Sequence, residues 1–373
     1  MANIDSNKRL ASLDALRGFD MMFIIGVASL ITAVCNLFPG GGDCWIATQM
    51  THVAWDGWRH HDTIFPLFLF IAGMSFPFSY AKQQSNGASR GSIYCKIIRR
   101  GVLLVIFGML CNGLLKLHFD TLRFCSVLGR IGLAWMFAAL IFLGCKPSVR
   151  AIISAVLLLG YWGLCCIPAP DVPGADPLSQ DGCLVGYIDR CLMSGHLYNG
   201  NFDPEGLLST IPAIVTALLG MFTGEFVRGD LTPGKQLSGG RKTLYMLAAA
   251  VAFFGLGYLW NISFPINKKL WSSSFVLVLA GFSLSSFALF YWIIDVKGWK
   301  KWAFPFQVIG MNSITIFMAP RIINFGYARD FFLGGVMELC SKQVATVIGL
   351  VGYLALEWLF LYFLYRKKIF LKL

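Results

Sequence analysis

Long apolar runs separated by short basic turns constrain this chain more than any other feature of its sequence. An α-helix rises about 1.5 Å per residue, so roughly 20 consecutive apolar residues cross the hydrocarbon core of a bilayer. Runs of this kind lie near 14–37, 63–82, 97–116, 124–145, 148–167, 206–228, 243–261, 271–295, 303–322 and 343–365. Lipid offers no partner to backbone polar groups, so each run must close its hydrogen bonds internally, as a helix. The chain is 57% hydrophobic and 13% charged, whereas a soluble domain averages about 25% charged. The expected fold is therefore all-α: a polytopic transmembrane bundle of about ten helices, forming a single integral membrane domain over 1–373.

Orientation follows from where lysine and arginine sit. With the N-terminus inside, the inner segments are the tail with Lys8 and Arg9, the 82–100 loop, the Lys146–Arg150 turn, the 228–242 loop, the Lys297–Lys301 turn and Arg366-Lys367-Lys368. They collect most of the basic residues, as cytoplasmic loops do, so both termini are expected to be cytoplasmic. The net charge of +12 is thereby explained by the membrane, and no nucleic acid is expected as a partner. Asp14, Arg17 and Asp20 interrupt the first run and no small-residue cleavage site follows it, so it reads as a permanent helix. Two outer loops, about 38–62 and 168–205, are long enough to carry function. Of the eleven cysteines most lie in apolar runs; Cys183 and Cys191 share the second outer loop, where a disulfide is open to them.

An ionised side chain at bilayer depth costs about 2.5–3.5 kcal/mol or more, so charges within the runs must face a partner or a cavity. Asp14 and Arg17, spaced i, i+3, share a helix face and can pair. Glu225, near an inner boundary, reads the same way. Arg130 and Asn312 are better placed to line a polar cavity. In the first outer loop three of the five histidines fall between His52 and His61, followed by Asp62. Imidazole titrates near neutrality, so this segment puts a candidate base at the membrane boundary. Loop histidines that only hydrogen-bond are the plainer alternative. Trp55 and Trp58 suit interfacial anchors. The spacing of His60, His61 and Asp62 is not specific for a metal, and none is expected. Asp203-Pro204-Glu205-Gly206 makes a turn into a helix, where Glu205 serves either the helix terminus or a substrate. Asn267-Lys268-Lys269-Leu270-Trp271 presents two cations and an aromatic, under the same pair of readings.

Six stretches in order resemble the transmembrane acetyltransferase family of heparan-α-glucosaminide N-acetyltransferase, including its bacterial relatives. They are Ser12–Gly18, His52-Val-Ala-Trp55-Asp-Gly57 with Asp62–Gly73, Asp203–Thr210, Ile266–Ser272, Asp295–Gly298 and Gly310–Ile314, and they span nearly the whole chain. The resemblance implies a multi-pass protein of the bacterial inner (cytoplasmic) membrane. It implies that an acetyl group from cytosolic acetyl-CoA, the co-substrate, is passed to the amine of a glucosamine-type sugar or oligosaccharide on the other face. It maps the catalytic histidine onto His52 and an asparagine before a triple glycine onto Asn36, although the spacing between the two is longer here. Where the lysosomal member has a His-Glu pair, this chain has Ala319-Pro320-Arg321.

On that reading His52 is either a general base or a nucleophile that becomes acetylated. Asn267 and Asn312 are candidate donors to the oxyanion or to sugar hydroxyls. Arg17 and Arg130 are candidates for the CoA phosphates. Asp62 orients the imidazole or binds sugar, and Trp55, Glu205 and Lys268 complete the candidate binding set. A cavity through the bundle would account for polar groups at depth, and a homodimer is compatible with a bundle of this kind. The alternative is a secondary transporter of sugars or cell-wall fragments, which would show inverted repeats and broken helices. No internal repeat is evident.

Overall fold

The structure, a computed structural model, describes residues 10–371 apart from Asn199, Pro233 and Lys235. Lys8 and Arg9 of the basic tail lie outside the described residues. The regular elements are α1 (Ala11–Cys35), α2 (His60–Ser85), α3 (Arg90–Cys111), α4 (Val127–Gly144), α5 (Pro147–Cys165), α6 (Leu184–Met193), α7 (Thr210–Arg228), α8 (Gly239–Trp260) and α9 (Ser273–Val296), then α10, a bent pair (Lys301–Met311 and Ser313–Arg321), α11 (Phe325–Glu338) and α12 (Lys342–Arg366). Among the described residues extended pairing is confined to two isolated bridges, Gly57 with Asn267 and Pro168 with Cys183.

Each of the ten apolar runs coincides with one of these helices or with the bent pair. Eight are long and apolar enough to cross a membrane, and α10 makes a ninth if its arms, bent by 62°, form one span. The tenth, α3, has the length but carries Lys96, Arg99 and Arg100 in its first half. It begins before the apolar run because the Ser89 hydroxyl accepts from Ser92 N at 3.3 Å and caps it. The helices α6 and α11 are too short to span and left no signal of that kind in the sequence.

The centre of the bundle is built on glycine. On α7, a Cβ at Gly220 would sit 2.1 Å from Phe70 O, and one at Gly224 2.4 Å from Met74 O, both on α2. Small residues spaced four apart let helix backbones meet, which is how helices associate where no hydrophobic force acts between them. The same device joins α1 to α10, where a Cβ at Gly310 would lie 2.0 Å from Asp14 O. Around this centre α9 packs on α8 and α2, α4 packs on α3 and α7, and α12 packs on α11, α10 and α1. Arg150 donates to Glu225 at 2.8 Å and ties α5 to α7, its guanidinium lying between the rings of Phe142 and Phe222. Glu225 thus serves helix packing.

Two local features position the site. In α1 the chain makes a π turn over Phe23–Val27, with Gly26 at φ 141°, so the outer part of the helix presents a different face from the inner part. The 168–205 loop is ordered by α6: Cys183 Sγ accepts from Gly186 N at 3.4 Å at its start, and Arg190 forks onto Asp171. Cys183 is buried, Cys191 is exposed, and both are free thiols; no disulfide joins them.

Candidate active site

The first outer loop folds back so that His52 meets the start of α2. His52 Nδ1 lies 2.7 Å from Asp62 Oδ1. Asp62 itself is almost wholly buried, and its second oxygen accepts from Val53 N at 3.2 Å and Arg59 N at 3.1 Å. The carboxylate is therefore fixed by the backbone on both sides of the turn, and the imidazole is fixed by the carboxylate. Lys268, from the turn before α9, completes the group: its Nζ is 3.0 Å from His52 Nδ1 and 3.3 Å from Asp62 Oδ1. Burial pulls the Lys268 pKa below the usual lysine range, while Asp62 and, farther off, Glu205 oppose that pull.

The His52 side chain keeps 54% of its surface exposed, against 2% for Asp62. Among the described residues Nε2 makes no hydrogen bond, so the ring is anchored at one nitrogen and open at the other. The His61 ring lies beside it, centroids 4.5 Å apart and planes tilted by 48°. His61 also lines a cavity of about 660 Å3, together with Ser29, Thr32, Asn36, Thr51, Lys342 and Gln343. Asn36 ends α1 on this wall, with Gly42 seated against its side-chain oxygen. Glycine's lack of a side chain allows that approach; Asn36 lines the cavity, and His52 adjoins it through Thr51 and His61.

Asn267 stands behind the dyad. It is buried, donates to Asp56 Oδ1 at 3.3 Å and accepts from Leu270 N at 2.9 Å, and its strand-like bridge to Gly57 pins the His52 loop to the Lys268 turn. Trp55 anchors the two outer loops together: its Nε1 donates to Leu178 O at 2.8 Å, and Lys269 lies over its ring.

Other candidates are placed elsewhere. Glu205 and Asp203 bind Arg123, which stacks on Tyr198. Arg130 is buried against the turn that follows, donating to Gly206 O and Ser209 and stacking on Trp271. Arg130 is thus held in the outer lobe by this cluster, apart from Arg17, which sits beside Asp14 and Ser75. Asn312 lies at the break in α10 and donates to Ile369 O at 3.0 Å, tying the break to the C-terminal segment. Next to the outer cavity lies an apolar void of about 30 Å3, lined by Met21, Ile24, Phe65, Phe68 and Phe317 among others. Ile24 borders both spaces. The sequence reasoning missed Arg59, which bonds Thr51 and the His52 carbonyl, and the α12 wall of Lys342, Gln343 and Thr346. No motif marks that wall; only the packing of α12 on α1 brings it there.

Residues 9–260 match the family described as heparan-alpha-glucosaminide N-acetyltransferase, catalytic. The chain belongs to this family. The protein from Homo sapiens named heparan-alpha-glucosaminide N-acetyltransferase is 29% identical over 98% of the chain, and the one from Mus musculus with the same name is 28% identical over 99%. The chain spans 60% and 61% of their lengths. Asp62, Asn36 and His52 fall inside the family match, whereas Asn267, Lys268 and the α12 wall lie beyond residue 260.

Proposed function

We propose that this protein is a membrane acetyltransferase that takes an acetyl group from cytosolic acetyl-CoA and passes it to the amine of a glucosamine-type sugar on the opposite face. The observation that carries the reading is the His52–Asp62 pair, next to the outer cavity that Thr51 and His61 line, in a chain of this family. With Nδ1–H donated to Asp62, the lone pair of Nε2 is left for the incoming amine. As nitrogen attacks the thioester carbon, His52 takes the amine proton; the C–N bond forms, the C–S bond breaks, and the imidazolium returns the proton to the leaving thiolate. Lys268 balances the buried carboxylate and directs its charge. The same open Nε2 also serves a two-step route through acetyl-histidine. The cavity bounded by Asn36, Thr51 and Lys342 receives the sugar, and 1–373 acts as one unit in a bacterial inner membrane with its basic turns inside.

The test is transfer by purified protein from radiolabelled acetyl-CoA to a panel of glucosamine-terminated acceptors. His52→Ala is expected to lower turnover by about 10²-fold or more, the scale of a lost general base, with unchanged insertion and thermal unfolding. Turnover within a few-fold of the parent would remove His52 from the reaction.

A further inference from the structure

The first outer loop brings together two thiols that the dyad does not use. Cys35 ends α1, and Cys44 follows nine residues later. Between them the chain turns back on itself: Phe38 N donates to Cys35 O at 3.1 Å, Gly41 N to Phe38 O at 3.0 Å and Cys44 N to Gly41 O at 3.3 Å. Gly40 takes a left-handed φ of 71°, and a Cβ at Gly41 would lie 1.8 Å from Cys35 O, so the turn is built for glycine. It sets the Cys35 and Cys44 thiols in hydrogen-bond contact. Both are half-buried and carry free thiols. Cys44 Sγ also accepts from Ala47 N at 3.4 Å. That N–H, more than any other group, holds the Cys44 thiol below the usual cysteine range; desolvation opposes it, and the Cys35 S–H adds to it. Cys44 therefore gives up its proton more readily than an ordinary cysteine.

We propose that Cys35 and Cys44 form a disulfide that clasps the wall of the outer cavity. Thiols already in contact across a closed turn are the arrangement from which such a bond forms with least backbone movement. The Cys44 thiolate attacks one sulfur of a disulfide donor, R–S–S–R, and expels one R–S−. The Cys35 thiolate then attacks Cys44 Sγ in the mixed disulfide and expels the second. The two cysteines give up two electrons and two protons, and the donor leaves as two R–SH. Protein and small-molecule disulfides of this kind prevail outside the cytoplasm, so oxidation in the cell rests on the acetyl-transfer reading, which turns this cavity outward. The bond falls where the wall is made. Asn36, next to Cys35, lines the cavity. Beyond Cys44, the Thr48 hydroxyl donates to Cys44 O at 3.0 Å and the Thr51 hydroxyl to Thr48 O at 2.8 Å, and Thr51 lines the cavity beside His52. Gln49 Oε1 accepts from His60 N at 2.9 Å. A 35–44 bond thus ties the end of α1 to the segment that carries His52.

The experiment equilibrates the purified protein with excess glutathione disulfide and, in parallel, traps the thiols of intact cells with N-ethylmaleimide; both samples are cut with pepsin and weighed. Cleavage between Leu37 and Phe38 separates the two cysteines, so the bond shows as two fragments held together, two hydrogens lighter than the pair of thiols and parted by a reductant. Cys191, exposed on α6, reports that thiols outside the pair were trapped. Amides across 36–51 are expected to exchange hydrogen about tenfold more slowly in the oxidised protein than in the reduced one, as a constrained segment does, and this comparison needs no variant. Cys44→Ser is expected to exchange at the reduced rate whether or not glutathione disulfide is present. Recovery of Cys35 and Cys44 as separate adducts in both samples overturns the pairing. Exchange that is equal in the oxidised and reduced parent, or that slows in Cys44→Ser as well, overturns the clasp. None of these readouts depends on acetyl transfer. A bond formed in the purified protein but absent from cells upholds the pair and counts instead against an outward-facing cavity.

Discussion

At the scale of single residues, His52 and Asp62 were legible because their chemistry is local: a histidine and an acid ten positions apart flank one turn, and the turn brings them to 2.7 Å. Lys268 was legible as a residue but not as a neighbour of His52, since only the fold brings positions 216 apart together. Arg123 drew no notice in the sequence, yet Asp203 and Glu205 are its partners. Beside that cluster lies Asp189, wholly buried, with Oδ1 accepting from Leu207 N at 3.1 Å and Oδ2 without a partner. Burial pushes its carboxyl up to about 7; Asp203 adds to the rise, while Arg130 and Arg190 oppose it. A carboxyl raised on folding binds a proton that the unfolded chain has already released, so stability falls as pH rises from about 4 to about 7 and levels off above. Asp189→Asn is expected to flatten the thermal-unfolding temperature across pH 5 to 8, where the parent declines. A variant that declines as steeply as the parent would clear Asp189 of the effect.

At the scale of elements, the apolar runs predicted the helices because a membrane leaves a run of twenty apolar residues no other choice. What they could not predict is irregularity. The bend at Asn312 and the π turn at Phe23–Val27 each sit inside a run whose hydropathy is unbroken, so composition carries no trace of them. The short helices α6 and α11 escaped for the converse reason, being too brief to stand out as spans. The glycines of α7 were present in the sequence, but their partners on α2 were not. Gly220→Leu must force α2 and α7 apart, at a cost of about 1–3 kcal/mol or more for overpacking. The expected readout is a clear drop in thermal-unfolding temperature in detergent. Gly160→Leu on α5, where an added Cβ meets no atom within 4 Å, is expected to leave it unmoved, and a similar drop in both would mean that close contact is not the cause.

At the scale of the whole molecule, the most buried spans, α2 and α7, form the centre, while α8 and α12 show most of their surface to lipid. The peripheral position of α12 does not make it incidental. Its first turns close the outer cavity with Lys342, Gln343 and Thr346, and the Asn267–Lys268 turn backs the dyad; both lie beyond the 9–260 family match, while the Homo sapiens relative aligns over 98% of the chain. A chimera grafting α12, Lys342–Arg366, from a relative onto this chain would keep its own His52, Asp62 and Lys268 while borrowing the α12 wall of the cavity. Its sugar preference, measured on the same acceptor panel, is expected to follow the donor of α12. On the proposed activity, a lineage can alter its acceptor through one lipid-facing helix while His52, Asp62 and Lys268 stay as they are.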